Sequence, residues 1–293
     1  MRLVTSLGVA LLSIGCAAAT PPVATVAAPA VGNVTPPPPS SSTPAVASGP
    51  QAAPELAKEL EADRVTGTLA LYDTQDGVLV CSDVKKCQTA VTPASTFKIP
   101  HSMIALETGL VQDPDTILPW DKQQYWNENW NQDLKFRDAF RFSCLPCYRA
   151  IARKVGAAGE QEWVNKLGYG NRDISGGVDK FWMDAGLLIS PLEQLDFLRR
   201  FDGDKLPISA RTADYVRDIM TLDVTEKYVL RGKTGTTGTP EESRMLAWLV
   251  GWLEAGNRRV FFALLLDGNA PGVDPMQVRR PLVERVLKSK GLM

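Results

Sequence analysis

Residues 244–265, RMLAWLVGWLEAGNRRVFFALL, decide the fold class of this chain. They read as two strands, Arg244 to Leu253 and Arg259 to Leu265, built from the aromatic and aliphatic side chains that a pleated surface favours. Tyr228 to Lys233 reads as a strand ahead of them. A further pair stands near the front of the charged sequence, Thr66 to Asp73 (TGTLALYD) and Val78 to Cys81, joined by the turn Gln75-Asp76-Gly77. Helical patterns fill the middle: Pro100 to Leu110 with a stop signal at Gly109, then Pro146 to Val155, Glu160 to Leu167, and Ser209 to Met220. Ser190-Pro191-Leu192-Glu193 is a capping box with Pro at the first helical position, opening a helix to about Phe201. A last helical stretch, interrupted by Pro281, runs to Lys290. Strands at both ends and helices between them predict an α/β layered domain, an antiparallel sheet with a mostly helical insertion. No internal repeat is visible.

The charges place this domain. The chain has 293 residues, 32 of them Lys or Arg and 33 Asp or Glu, for a net charge of −1. A nucleic-acid glove or polybasic membrane binder needs clustered cations, which this balance argues against. With 44% hydrophobic residues the chain is no disordered polymer. After Arg2 no charged residue occurs until Glu55, so the chemistry belongs to 55–293. The front end is of another kind. Met1-Arg2 and the apolar run Leu3 to Ile14 read as a secretory signal, too short for a span of roughly 20 residues. Two cleavage sites compete. Leu12-Ser13-Ile14-Gly15-Cys16 resembles a lipoprotein box, which would leave Cys16 as a lipid anchor, with Ser13 where an aliphatic residue is usual. Ala17-Ala18-Ala19 before Thr20 would serve an ordinary signal peptidase, giving a segment 1–19. Either predicts export to the periplasm. Residues 20–54 hold ten of the 21 prolines and read as an extended spacer.

Three polar clusters carry chemistry. In Pro93-Ala94-Ser95-Thr96-Phe97-Lys98 the Ser-x-x-Lys spacing brings a hydroxyl and an amine to one helix face, Cβ atoms roughly 5–6 Å apart. A helix start also offers free N–H groups to a developing oxyanion. Apolar flanks at Phe97 and Ile99 disfavour the ammonium form of Lys98. The second cluster is Ser143, ahead of Cys144-Leu145-Pro146. The third is Lys233-Thr234-Gly235, followed by Thr236. A Lys and a hydroxyl on a strand edge can hold a carboxylate, and the Gly leaves room for a substrate against the strand. Each tripeptide alone is common on solvated helices and in turns.

In this order the clusters resemble the serine penicillin-recognising enzymes, and within them the class D, oxacillinase-type β-lactamases. Ser95-Thr96-Phe97-Lys98-Ile99-Pro100 looks like their active-site stretch and Ser143-Cys144-Leu145 stands in the place of their Ser-x-Val. Tyr169-Gly170-Asn171 matches their Tyr-Gly-Asn. Phe181-Trp182, with Ile189-Ser190-Pro191, matches their Trp-bearing loop. The resemblance covers about Val65 to Leu292 and implies hydrolysis of β-lactam antibiotics, with no metal or organic cofactor. It implies that Ser95 is the nucleophile and that Lys98 carries a carbamate, formed from CO2 or bicarbonate, as general base. Trp182 would donate its indole N–H to that carbamate. Ser143 would relay a proton, and Lys233, Thr234, Gly235 and Arg279 would bind the substrate carboxylate. The N–H groups of Ser95 and Thr236 would form the oxyanion hole, and Tyr169, Gly170 and Asn171 the site wall. Leu145 departs from the family's Val, and its longer side chain beside Lys98 predicts a stronger dependence on bicarbonate. Arg280 adjoins Arg279, whose match rests on spacing alone. A penicillin sensor or a D-alanyl peptidase, acylated with little turnover, is the alternative.

Other residues take blander readings. Cys81 and Cys87 flank a hairpin end and predict a disulfide in an exported chain. Cys144 and Cys147 form a C-x-x-C without a second pair to complete a metal site, so packing is expected of them. His101, the only histidine, is expected to pack or to lie on the surface. Trp120, Trp126 and Trp130 are expected in core and loop packing.

Overall fold

The computed structural model describes residues 49–183, 186–238 and 245–293. The signal, Cys16 and the spacer up to residue 48 lie outside the described residues, as does Arg244 at the expected start of a strand. In chain order the elements begin with strand β1 (Gln51–Ala52), helix α1 (Pro54–Ala62), strands β2 (Val65–Asp73) and β3 (Leu79–Cys81), and helix α2 (Val84–Gln88). A 3-10 turn, Ala94–Phe97, runs directly into α3 (Lys98–Glu107). A small ribbon of β4 (Ile117–Leu118) and β5 (Leu134–Lys135) leads to helices α4 (Phe136–Arg141) and α5 (Leu145–Leu167). Then follow α6 (Pro191–Asp202), α7 (Ala210–Ile219), strands β6 (Thr221–Val224), β7 (Val229–Thr237), β8 (Leu246–Ala255) and β9 (Arg258–Asn269), and helix α8 (Pro275–Ser289).

Among the described residues the main sheet runs β1-β3-β2-β9-β8-β7-β6, antiparallel except where β1 joins β3. Strand periodicity sends alternate side chains to opposite faces. Trp248, Val250 and Trp252 of β8 and Phe261, Ala263 and Leu265 of β9 pack towards Phe97, Met103 and Phe197 of the helical layer. Their neighbours Leu249, Leu253, Val260, Phe262, Leu264 and Leu266 pack on the other face against Leu56 and Leu60 of α1 and Leu282 and Val286 of α8. Because helices cover both faces, β8 and β9 read as continuous apolar runs rather than as alternating ones.

Several expectations are adjusted. Gln51–Ala52 pairs with β3 and α1 starts at Pro54, so folded structure begins inside the segment read as spacer. The two helices expected across 146–167 are both present, counted here together as α5 and separated by a kink at Gly156, whose φ of 76° is one that glycine tolerates. Pro281 sits inside α8 without ending it. The capping box at Ser190 forms in full, with Glu193 bonding back to the Ser190 N–H. Lys233-Thr234-Gly235 lies within β7, which continues to Thr237.

Candidate active site

Four elements converge on the cleft: the 3-10 turn at 94–97, the α4–α5 junction, β7, and the N-terminal half of α8. Strand β6 pairs with β7 only as far as Arg231, so among the described residues that edge of β7 carries no strand from Lys233 onward and faces the turn bearing Ser95. Gly235 is the point of closest approach. A Cβ there would meet Pro93 O at 2.9 Å and Thr96 N at 3.1 Å. This glycine leaves room for the nucleophile's own turn.

Ser95 and Lys98 face one another as the spacing predicts, with Lys98 Nζ donating to Ser95 Oγ over 3.0 Å. The amine is fully buried and no carboxylate pairs with it among the described residues. The Tyr148 ring lies 5.1 Å from Nζ. Burial first, and the nearby Arg149 guanidinium second, bring the Lys98 pKa from its ordinary 10.5 to about 7. Trp182 is also fully buried, stacked on Phe97 at 5.6 Å, and its indole N–H finds no acceptor among the described residues. An indole is a donor only and normally finds a partner when buried. A dry amine that is partly neutral near pH 7 suits a carbamate, which needs an uncharged nitrogen to form, and a buried unused N–H is the kind of donor that could hold its oxygen.

The cleft's other side is polar. Lys233 Nζ donates to Ser143 Oγ at 3.1 Å and to its neighbour's carbonyl, Thr234 O, at 2.9 Å. Burial, then Lys98 and Arg279, hold the Lys233 amine well below the usual lysine range. Ser143 sits at φ 55° in the three-residue link between α4 and α5, an uncommon backbone for a non-glycine residue. Two bonds support that link: Cys144 N–H donates to Ala139 O at 2.8 Å and the Trp130 indole to Phe142 O at 3.0 Å. Arg279 reaches from α8 to Thr236 Oγ1 at 2.9 Å and Gly235 O at 3.1 Å, and burial draws its pKa down to about 10. Arg280, its sequence neighbour, instead pairs with Glu284 on its own helix. Spacing alone left Arg279 and Arg280 close competitors; the helix faces separate them.

Tyr169 is buried and acts from behind. Its hydroxyl accepts from Gln194 Nε2 at 3.0 Å, and the same Nε2 donates to Thr96 Oγ1 at 2.9 Å, which ties α6 to the nucleophile's turn. Burial raises the Tyr169 phenol above its ordinary range, so it stays neutral. Gly170, at φ 52°, packs so closely on Leu188 O that no Cβ fits. Asn171 holds the facing loop through Gly186 O at 2.7 Å and Leu188 N at 3.0 Å. This trio therefore joins two segments of wall. Leu145 opens α5 half-buried against the main core.

Cys81 and Cys87 are bridged, with Cα atoms 6.4 Å apart, as expected. Cys144 and Cys147 are bridged too, with Cα atoms 5.4 Å apart, which corrects the expectation that they only pack. Cys144 is also the N-cap of α5, so this second bridge spans the helix start directly after Ser143. Trp126 is 85% exposed, resting edge-on against buried Trp130 at 5.1 Å, so it is not a core residue. His101 is buried and paired with Glu160. Sequence reading missed Glu160, although a signal was present: Glu160, Val164 and Leu167 share one helical stripe whose other members are core residues.

Comparisons with known proteins agree with this geometry. Residues 45–288 match the penicillin binding protein transpeptidase domain family. The chain is 34% identical over 237 residues to β-lactamase OXA-5 of Pseudomonas aeruginosa, covering 80% of this chain and 88% of that protein. It is 35% identical over 227 residues to β-lactamase OXA-48 of Klebsiella pneumoniae, covering 78% and 84%. Among solved structures, the class D β-lactamase of Sebaldella termitidis superposes with a TM-score of 0.78 at 32% identity, covering 84% of this chain and 100% of that one. The class D β-lactamase YbXI from Nostoc gives 0.77 at 36%, covering 81% and 99%.

Proposed function

The chain belongs to the class D serine β-lactamases, hydrolases that confer β-lactam resistance, and on that premise we propose that it works through an acyl-enzyme on Ser95 with Lys98 as the seat of the general base. One observation carries this reading: a fully buried amine with a pKa of about 7, 3.0 Å from a serine hydroxyl. A carbamate on Lys98, when formed, supplies the base for acylation and for the hydrolytic water. Lys98 as a neutral amine adds CO2 and releases one proton, which the ammonium form cannot do. Trp182 holds its N–H toward the resulting anion. Ser95 Oγ attacks the lactam carbonyl, and the N–H groups of Ser95 and Thr236 receive the developing oxyanion. Ser143, bonded to Lys233, passes a proton to the departing ring nitrogen. Lys233, Thr234 and Arg279 receive the substrate carboxylate, whose charge offsets the two neighbouring cations.

Turnover of a chromogenic cephalosporin, measured with and without added bicarbonate, tests the reading. Multiple turnovers that accelerate with bicarbonate support it. A single stoichiometric burst with no turnover would overturn it in favour of a penicillin sensor. Export rests on the leader sequence, and the mass of the mature N-terminus decides its form: an acylated Cys16 for the anchored enzyme, a free Thr20 for a soluble periplasmic one.

A further inference from the structure

Behind the Ser95–Lys98 pair lies a buried acid–base couple to which this mechanism gives no task. His101 Nε2 and Glu160 Oε1 are 2.9 Å apart, and both side chains are wholly shielded from solvent. His101 stands on α3 one turn beyond Lys98, and Glu160 comes from the second half of α5. A buried pair of this kind gains little stability over apolar side chains of the same volume, because desolvation offsets its attraction. Its location is more informative. The imidazole is wedged among Phe97 at 5.4 Å, Tyr148 at 5.5 Å and Trp182 at 5.2 Å, the last nearly edge-on at 61°. Tyr148 lies against the Lys98 amine and Trp182 carries the unused indole donor. His101 thus packs both on the ring that lies against the Lys98 amine and on the indole that carries the unused donor.

Among the described residues, Glu160 is the only hydrogen-bond partner of that ring, for His101 Nδ1 has none. Without Glu160 the imidazole would keep two unpaired nitrogens in an apolar box. An unmet buried polar group costs about 1–3 kcal/mol, relieved by turning the ring or by admitting water. Turning the ring moves the indole packed on it. Admitting water offers the indole N–H a competing acceptor and restores solvation to the ammonium form of Lys98.

We propose that Glu160, acting through the His101 ring, is a positioning residue that orients Trp182 and keeps the Lys98 pocket dry enough to retain its carbamate. The proposal rests on the reading of Lys98 given above.

Its test compares Glu160→Met with Glu160→Gln in the full chain. Three quantities are measured: the carbamate resonance of protein equilibrated with 13C-bicarbonate, the bicarbonate concentration for half-maximal turnover, and the melting temperature. Glu160→Met removes the acceptor at similar volume. It is expected to raise the half-maximal bicarbonate concentration about tenfold and to lose the 13C signal at low bicarbonate, with kcat at saturating bicarbonate unchanged. Glu160→Gln still accepts from His101 Nε2 and is expected to stay within about twofold of wild type on every measure. A folded Glu160→Met protein with wild-type bicarbonate dependence and 13C signal would overturn the proposal, leaving the pair as core packing. Should the Met variant fail to fold, Glu160→Ala, which cannot overpack, is held to the same two outcomes. A wild-type protein with neither a 13C signal nor a bicarbonate response would overturn the Lys98 reading and this proposal with it, a result distinct from a loss confined to the variants.

Discussion

Two buried lysines face the same cleft, and the fold treats them differently. Lys98 is enclosed by rings and has the nucleophile's hydroxyl as its side-chain partner. Lys233 is equally enclosed but donates to the Ser143 hydroxyl and a backbone carbonyl, beside Arg279 and a strand edge left open for a ligand. Burial lowers both pKa values. At Lys98 a single side-chain hydroxyl is left to replace the lost solvation, so a neutral, CO2-reactive amine is well populated near pH 7. In the proposed reading, a substrate carboxylate entering beside Lys233 would supply the missing counter-charge and favour its ammonium form. Desolvation favours a reactive neutral amine where few acceptors remain and an anion receptor where cations gather without counter-charge.

The contrast can be broken most sharply at Lys98. Lys98→Ala removes the seat of the base, and kcat is expected to fall about 10²–10⁴-fold, with the acyl-Ser95 species accumulating in intact-protein mass spectra and no rescue by bicarbonate. Arg279→Ala leaves Lys233 without its neighbouring fork. The kcat/KM for carboxylate-bearing substrates should drop about 10–100-fold, since a charged hydrogen bond contributes about 1.5–3 kcal/mol, mostly through KM. Trp182→Phe deletes one donor to the Lys98 side. Activity at ambient CO2 should fall about tenfold and recover with bicarbonate, whereas Arg279→Ala should not respond.

The pH dependence follows from Lys98. Below about pH 7 its ammonium form dominates, so recovery of activity after CO2 depletion should slow about tenfold per unit of falling pH. Stability moves in the same direction. The amine titrates near 10.5 when exposed and near 7 in the fold, so between those values the unfolded chain binds more protons. The cost of burying Lys98 is full below pH 7 and declines as pH rises towards 10.5, which melting temperatures of wild type and Lys98→Met across that range can measure. The smallest effect is expected of Leu145→Val. It shortens one side chain at the start of α5 and should lower the half-maximal bicarbonate concentration by only about two- to threefold.

Much of this was legible in the chain because the signals were local. The paired apolar runs of β8 and β9, the capping box at Ser190, and the Ser95-x-x-Lys98 spacing depend on neighbours a few residues apart. Elements without such a signal went unread. Strand β6 is short and half-exposed, and β1 is a two-residue strand that exists only because β3 offers it an edge. Gly235 was recognised as significant, but its reason lay in a turn more than a hundred residues earlier in the chain.

The order and chemistry of the reactive groups were settled by the sequence itself: a serine and a lysine one turn apart, a later serine, and a lysine-threonine pair on a strand. Only the tertiary structure decided that Lys98 is dry, that Cys144 joins Cys147, and that His101 meets Glu160 across 59 positions. Solvation and pairing are properties of everything that surrounds a group, and most of what surrounds these residues comes from distant parts of the chain.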